Sequence, residues 1–445
     1  MAGLLAFQAA GAGVAAAGRA VTHPQLRAAT PVPDLSKPIT VAKGLPAPES
    51  TTDCQANFGI ACYTPLQYRT AYDLNPLYNA GITGRGRTIV IVDSFGSPTI
   101  TADVASFDAQ FGLPAANLTI DQAGTIPPYD PNDSTRRGWA IETSLDVEYA
   151  HAMAPDAKIV LVETPVAETE GVTGFPEMMN AEKALIDQGT GDVISQSFGA
   201  TENTFPGFDQ GDFSSLLNLR FAFKDAARHH VTVLAASGDA GATDAESDGS
   251  TLFPMAVNSW PSSDPLVTSV GGTQLSLDNN GNRISPDVVW NDGFGAGGGG
   301  ESGVFKRPLF QIGVRNVVGS QRGTPDISMS AAVDGAAWVF ISAGGFGAPG
   351  WQLVGGTSEA TPIFSGIVAL ADQVAGHRIG NINAGLYALG ALSRLHVPTG
   401  LVDVTSGNNS FAGVNGFSAG TGYDLASGWG TIDAKKFVPE LAHLG

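Results

Sequence analysis

The chain has 445 residues, of which 43% are hydrophobic and 15% charged, which suits a large packed core and not a disordered chain. Its 57 glycines follow no G-x-y period, so collagen is excluded and a loop-rich α/β body is favoured. A formal net charge of -19 argues against nucleic acid and against an anionic membrane surface as partners, since no broad cationic face is there to displace counterions; abundant carboxylates suit an acidic medium, where protonation relieves their self-repulsion.

Residues 4–20 are apolar and alanine-rich, like the hydrophobic part of an export signal but without the basic residues that precede one. They are too few and too glycine-rich for a membrane span, and no later stretch reaches 18 uninterrupted apolar residues. Residues 28–52, rich in Pro, Ser and Thr, read as an extended arm. Residues 1–54 are therefore set apart as leader-like segment and arm, and 55–445 as one folded domain without internal repeats. Cys54 and Cys62 are eight positions apart and read as one small disulfide in preference to two free thiols.

Thr64 and Pro65 predict a cap and first residue for a helix over 66–72. The apolar run 88–93 predicts a buried strand ending in Asp93, followed by a helix over 100–111. A helical pattern over 142–153 ends at Ala154-Pro155 and leads to a second buried strand over 158–163. Strands over 193–197, 231–235 and 266–270 follow, with a helix over 214–229 between the first two. This alternation predicts an α/β fold with a mainly parallel central sheet and helices on both faces. Sites in such sheets gather at the carboxyl ends of the strands, where Asp93 and Asp239 fall. A glycine-dense loop covers 295–303.

Three stretches carry candidate chemistry. In Gly355-Gly356-Thr357-Ser358, a glycine turn presents a serine just ahead of a helix, beside its free N–H groups; Thr or Ser at that place is also an ordinary N-cap. Glu142 and Asp146, at i and i+4, share one helix face. Like charges there cost stability, so the pair is either a solvated face or, given its apolar flanks, a desolvated couple in which one carboxyl keeps a proton. Asp239, between glycines after a strand, could anchor a loop, ligate a metal or act in catalysis. No histidine has the setting of an ordinary serine-protease triad: His151 lies on the opposite helix face from Glu142, and His229-His230 closes a helix.

Together these residues resemble the sedolisin family, the serine-carboxyl peptidases of subtilisin-like fold. The resemblance is carried by Gly356-Thr357-Ser358-Glu359-Ala360-Thr361-Pro362, by Glu142 with Asp146, and by Gly238-Asp239-Ala240-Gly241, in family order between about 62 and 432. Shorter matches are Ser197-Phe198-Gly199, the glycine stretch before Glu301, and Arg322 to Ser328. The resemblance implies Ser358 as nucleophile, Glu142 as general base, Asp146 as the carboxylate orienting it, and Asp239 as the acid facing the oxyanion. It gives Asp93 a supporting place, against simple strand-end structure, while Glu359 beside the serine departs from the pattern. Carboxyl chemistry fits that assignment, since a neutral Asp239 and a carboxylate base coexist only under acidic conditions, where histidine is charged.

The resemblance further implies one structural Ca²⁺ held by Asp403, the Val404 carbonyl, the Gly420 and Gly422 carbonyls and Asp424, a hard oxygen set, where two Asx turns are the alternative. It implies a long propeptide, for which the stretch before Cys54 is too short. The expected protein is thus an acid-active secreted endopeptidase, monomeric, acting on polypeptides through an acyl-enzyme on Ser358, without nucleic acid or stable membrane association. The alternatives are a tripeptidyl-peptidase of the same family and a catalytically inactive, secreted calcium-binding protein.

Overall fold

The structure is a computed structural model that describes residues 39–444. The leader-like stretch 4–20 lies outside them. At the centre is an eight-stranded sheet. Its strands are β1 (Thr88–Ser94), β2 (Asn117–Gln122), β3 (Lys158–Thr164), β4 (Val193–Gln196), β5 (Thr232–Ala236), β6 (Thr268–Gln274), β7 (Val288–Val289) and β8 (Ile327–Ser330). They lie in the order β7-β6-β5-β4-β1-β3-β2, with β8 also on β6. Every pairing is parallel except β6 with β7, so the carboxyl ends share one edge, with Asp93 of β1 beside Glu163 of β3.

Side chains alternate across a strand, and here both faces are covered, which is why the strands read as unbroken apolar runs. Ile89, Ile91, Ile159 and Leu161 enter one core; Val90, Val92, Val160 and Val162 enter the other. The first core is closed by helices α1 (Ile100–Phe111), α2 (Ser134–Met153) and α5 (Thr357–Ala375), the second by α3 (Phe175–Asp187) and α4 (Phe221–Arg228). The two helices that matter most for the site, α2 and α5, cross closely. A Cβ on Gly366 of α5 would lie 2.5 Å from the Met153 Cβ of α2, so a bare backbone is needed there.

Several expectations are corrected. The helix expected over 142–153 starts at Ser134, capped by Asp133, whose Oδ1 accepts from the Thr135 and Arg136 N–H groups at 2.9 and 3.2 Å. The helix expected over 214–229 is broken by a 3₁₀ turn at Asn218–Arg220, where Arg220 is drawn to Asp264. Part of the supposed arm, Ile39–Leu45, is a strand paired antiparallel with Gly350–Gly355. With Ala336–Ile341 and Cys62–Tyr63 these form a second, four-stranded sheet that the periodicity did not reveal. Cys54 and Cys62 form the expected disulfide, and Thr64 caps its helix in a capping box with Gln67.

The segment entering β8 is tied by a buried ion pair. Arg322 and Asp326 are both fully buried, joined at 2.8 Å through Nη1 and Oδ1, and Asp326 also accepts from the Ser269 N–H and the Tyr387 hydroxyl, each at 2.8 Å. Removing one partner strands a charge without solvent. Asp326→Ala should lower unfolding free energy by about 3–5 kcal/mol, measured by denaturant titration; a change below about 1 kcal/mol would contradict this role.

Candidate active site

The strand Gly350–Gly355 runs into Gly356, and Ser358 follows in the first turn of α5. Gly356 adopts φ 139°, and a Cβ on it would meet Asp239 Oδ2 at 2.7 Å. Only glycine suits both demands. The capping alternative for this turn is set aside, because no side chain caps α5. Thr357 is turned to Asp239 instead: its N–H and its hydroxyl donate to Asp239 Oδ1 at 2.7 and 2.8 Å. Pro362 lacks the N–H that would bond the carbonyl of Ser358 four residues back, and the Ser197 hydroxyl lies 3.5 Å from that carbonyl.

Glu142 and Asp146 are wholly buried in α2, so the solvated-face alternative fails. Asp146 Oδ1 accepts from the Ser197 hydroxyl at 2.8 Å, and its Oδ2 has no partner. Burial, with Asp146 and Asp93 beside it, pushes Glu142 well above the usual carboxylate range. The Ser358 hydroxyl pulls in the other direction, although neither Glu142 oxygen forms a hydrogen bond of full geometry. Asp146 is raised well above its ordinary value by burial and then by Asp93, against the pull of Ser197. Asp93, also wholly buried with both oxygens unpartnered, is pushed up to about 7 by burial and by Glu163, opposed by Thr143. It belongs to the same cluster.

Asp239, 2% exposed, is pushed up to about 7 by burial, against the two Thr357 hydrogen bonds and with Asp244 adding to the rise. Its Oδ2 is buried without a partner. None of the ion pairs among the described residues involves Asp93, Glu142, Asp146, Asp239 or Glu359. Among the described residues the histidine of α2, His151, is turned elsewhere, with Nε2 2.9 Å from the Pro114 carbonyl and 3.1 Å from Asp108 Oδ1. What the arrangement can do chemically is move a proton between a serine hydroxyl and a buried carboxyl, with a second raised carboxyl, Asp239, held at the neighbouring Thr357.

Ser197 was visible only as part of a short motif, and its bridging place between Asp146 and Ser358 has no spacing signal. At the five expected calcium donors, Asp403 Oδ2 accepts from the Gly422 N–H at 2.8 Å, and Asp424 Oδ2 from the Gly420 N–H at 2.9 Å. The glycine loop is thus held against both carboxylates. Among the described residues no group of three or more His, Cys, Asp or Glu side chains is arranged for a metal, but this donor set contains only two.

Comparison with known proteins follows the same residues. The profile of the Subtilase family matches residues 122–379, more than half of the chain. The chain belongs to the subtilase family. Within it the chain groups with the sedolisins: it is 33% identical over 384 residues to kumamolisin of Bacillus sp. (strain MN-32), covering 83% of this chain and 62% of that protein. It is 30% identical over 385 residues to sedolisin of Pseudomonas sp. (strain 101), covering 84% and 60%. The solved structure of Pseudomonas sedolisin, a serine-carboxyl proteinase complexed with two molecules of pseudo-iodotyrostatin, superposes with a TM-score of 0.69 at 28% identity, covering 85% of this chain and 97% of that one. The chain therefore spans about three fifths of the length of the curated relatives it matches. The mainly parallel sheet between two helical layers is the subtilase architecture.

Glu359, the carboxyl that departs from the sedolisin pattern, lies beside Tyr68 and Ser330. It is wholly buried and pushed up to about 8 by burial, opposed by the Tyr68 and Ser330 hydroxyls, with Asp239 raising it further. A carboxyl raised on folding contributes stability that is present below its ordinary value, near 4.5, and is lost as pH rises to about 8. Glu359→Gln should therefore flatten the fall in thermal midpoint over that window and leave the variant the more stable protein at its upper end. Parallel midpoint curves for the two proteins would refute this.

Proposed function

We propose that this chain is an acid-active serine-carboxyl endopeptidase that hydrolyses peptide bonds through an acyl-enzyme on Ser358. The observation that carries this is the burial of Glu142, Asp146 and Asp239 in the neighbourhood of Ser358, with no ion pair to any of the three among the described residues. Ser358 Oγ attacks the substrate carbonyl carbon while Glu142 takes the hydroxyl proton. Asp146 holds Glu142 and disperses its charge. Asp239, neutral below about 7, donates from Oδ2 to the oxygen that becomes negative in the tetrahedral intermediate. Glu142 then protonates the leaving amine, the C–N bond breaks, and water hydrolyses the acyl-serine by the reverse proton route. Like-charged carboxyls this close cannot all ionise, so the cluster retains protons at the pH where the base must be charged.

Polypeptides are the substrates in this reading, and secretion accords with the Cys54–Cys62 disulfide, which persists in oxidising compartments. No helix among the described residues is long and apolar enough to cross a membrane. The reading includes one calcium ion held by Asp403, Val404, Gly420, Gly422 and Asp424; two carboxylates and glycine carbonyls on a tight loop form the hard donor set the ion prefers, and binding would stabilise the fold around residues 403–424.

Ser358→Ala should cut kcat/KM for peptide hydrolysis by about 10⁶-fold without unfolding the protein. Asp239→Ala should cost about 10²–10³-fold. The wild type should lose activity as pH rises through about 7, where Asp239 gives up its proton; Asp239→Asn, which keeps a donor at all pH, should lose that limb of the pH–rate profile. An unchanged limb in the Asn variant, or full activity in Ser358→Ala, would contradict the assignment. For the metal, calorimetric calcium binding should disappear in Asp424→Ala. Burial raises both Asp403 and Asp424, so the wild-type affinity should weaken as pH falls; an affinity independent of both changes would exclude the site.

A further inference from the structure

Away from Ser358, two stretches of this acidic chain carry no acid. Residues 302–325 and 373–402 contain neither Asp nor Glu, although the whole chain has 42 of them. The two stretches meet in space. The 3₁₀ turn Leu309–Val314 packs on helix α6 (Asn383–Ser393), with the Phe310 and Tyr387 rings 5.0 Å apart. Between them opens a cleft of about 360 Å³, large enough for a small organic ligand. Phe310, Tyr387 and Trp429 give it an aromatic lining, and Tyr387 and Trp429 are buried. Leu395, also in the lining, is 73% exposed, and Leu309 and Ile312 on the same turn are 87% and 55% exposed. So much apolar surface left in water around one concavity marks a binding face.

The polar atoms of the lining divide into those already engaged and those left over. The Tyr387 hydroxyl donates to Asp326 Oδ1 at 2.8 Å and accepts from Gln311 Nε2 at 2.6 Å, and the charge of Asp326 is answered by Arg322. Two donors remain. Trp429 Nε1 is buried without a partner, and the exposed Arg394 forms no ion pair among the described residues. Both residues also line an adjoining cleft of about 410 Å³, so the guanidinium stands where the two clefts meet. The carboxylate in that second lining, Asp403, accepts from the Gly422 N–H at 2.8 Å and is not paired with Arg394. Arg315, on the turn's C-terminal side, is a second exposed cation without an ion pair among the described residues.

We infer that this cleft binds a long-chain monocarboxylate, its acyl chain laid against Phe310, Tyr387 and Trp429 and its carboxylate held by Arg394. The aromatic lining offers dry apolar surface, and the one charge left over is a guanidinium, whose planar fork matches a carboxylate. A peptide strand is a poorer fit, because its backbone groups need both donors and acceptors, and the engaged hydroxyl and amide of the lining supply neither. An anionic bilayer is repelled by the net charge of -19. A single carboxylate inside the cleft meets only the charges within about 8 Å, the screening length at physiological salt, and there the unpaired cation decides.

The test is calorimetric titration of the full chain at pH 7 with dodecanoate, octanoate and dodecyltrimethylammonium, each below its micelle concentration. Dodecanoate should bind about tenfold or more tighter than octanoate, since each buried methylene is worth about fourfold. It should also bind about tenfold or more tighter than the cation of equal chain length. Arg394→Gln should weaken dodecanoate by about fivefold or more and leave the cation unchanged; Leu395→Asp, which sets a carboxylate at the rim, should weaken dodecanoate further than it weakens the cation. Both substitutions change exposed side chains, and the comparison of anion with cation in the wild type stands without them. Binding of neither amphiphile, equal binding of both, or dodecanoate binding untouched by both substitutions would overturn the inference. So would a wild-type dimer in sedimentation that Leu395→Asp dissociates, which would assign the face to a second copy of the chain. Ser358→Ala should bind dodecanoate as the wild type does, so the outcome is independent of the peptidase reading.

Discussion

Desolvation of carboxyl groups without a cationic counterweight governs the chemistry of the whole carboxyl edge of the sheet. Asp93, Glu142, Asp146 and Asp239 would each be charged in water above about pH 4. Here the low-dielectric surroundings and the groups' mutual repulsion keep protons on the cluster. An imidazole in the same position would be charged under the acidic conditions proposed for this cluster. In the proposed mechanism the same burial serves one carboxyl as base and another as hydrogen-bond donor.

Holding that arrangement requires two helices and a turn to approach more closely than ordinary side chains permit. Gly366 lets α5 and α2 cross, which sets the axial distance between Ser358 and the carboxylates of α2. Gly356 lets the turn press against Asp239, and Thr357 fixes Asp239 through both its backbone and its hydroxyl. The second sheet supplies the strand that aims the turn. Each residue of the Gly-Thr-Ser-x-x-x-Pro run thus has a separate physical task, including Pro362, whose missing N–H leaves the Ser358 carbonyl free of the helix ladder.

Away from the serine, charge is handled differently. Arg322 and Asp326 neutralise one another in full burial, and the partly exposed Arg220 pairs with the buried Asp264. Those pairs fix chain segments. The carboxyls that burial raises without an ion pair among the described residues include Asp93, Glu142, Asp146, Asp239 and Glu359. A chain with so few lysines and arginines has little choice about where to place cations, and the structure places them away from this edge.

Local pattern carried much of this by itself. The buried runs 88–93, 158–163, 193–197 and 231–235 announce parallel strands, because a strand covered on both faces must be apolar at every position. The spacing of Glu142 and Asp146 puts them on one helix face, and the glycine turn marks Ser358. Short motifs in fixed order were enough to bring Asp239 into the set. What tertiary structure alone decided is which of these groups are dry, since solvent exclusion depends on elements far apart in the chain. That is why the edge strand Asn117–Gln122 and the second sheet were not legible, why Asp93 moved from strand end to member of the cluster, and why the contact of Ser197 with Asp146 had no spacing signal. Spacing along a helix or strand reports direction; protonation reports the company a side chain keeps, and that company is assembled only on folding.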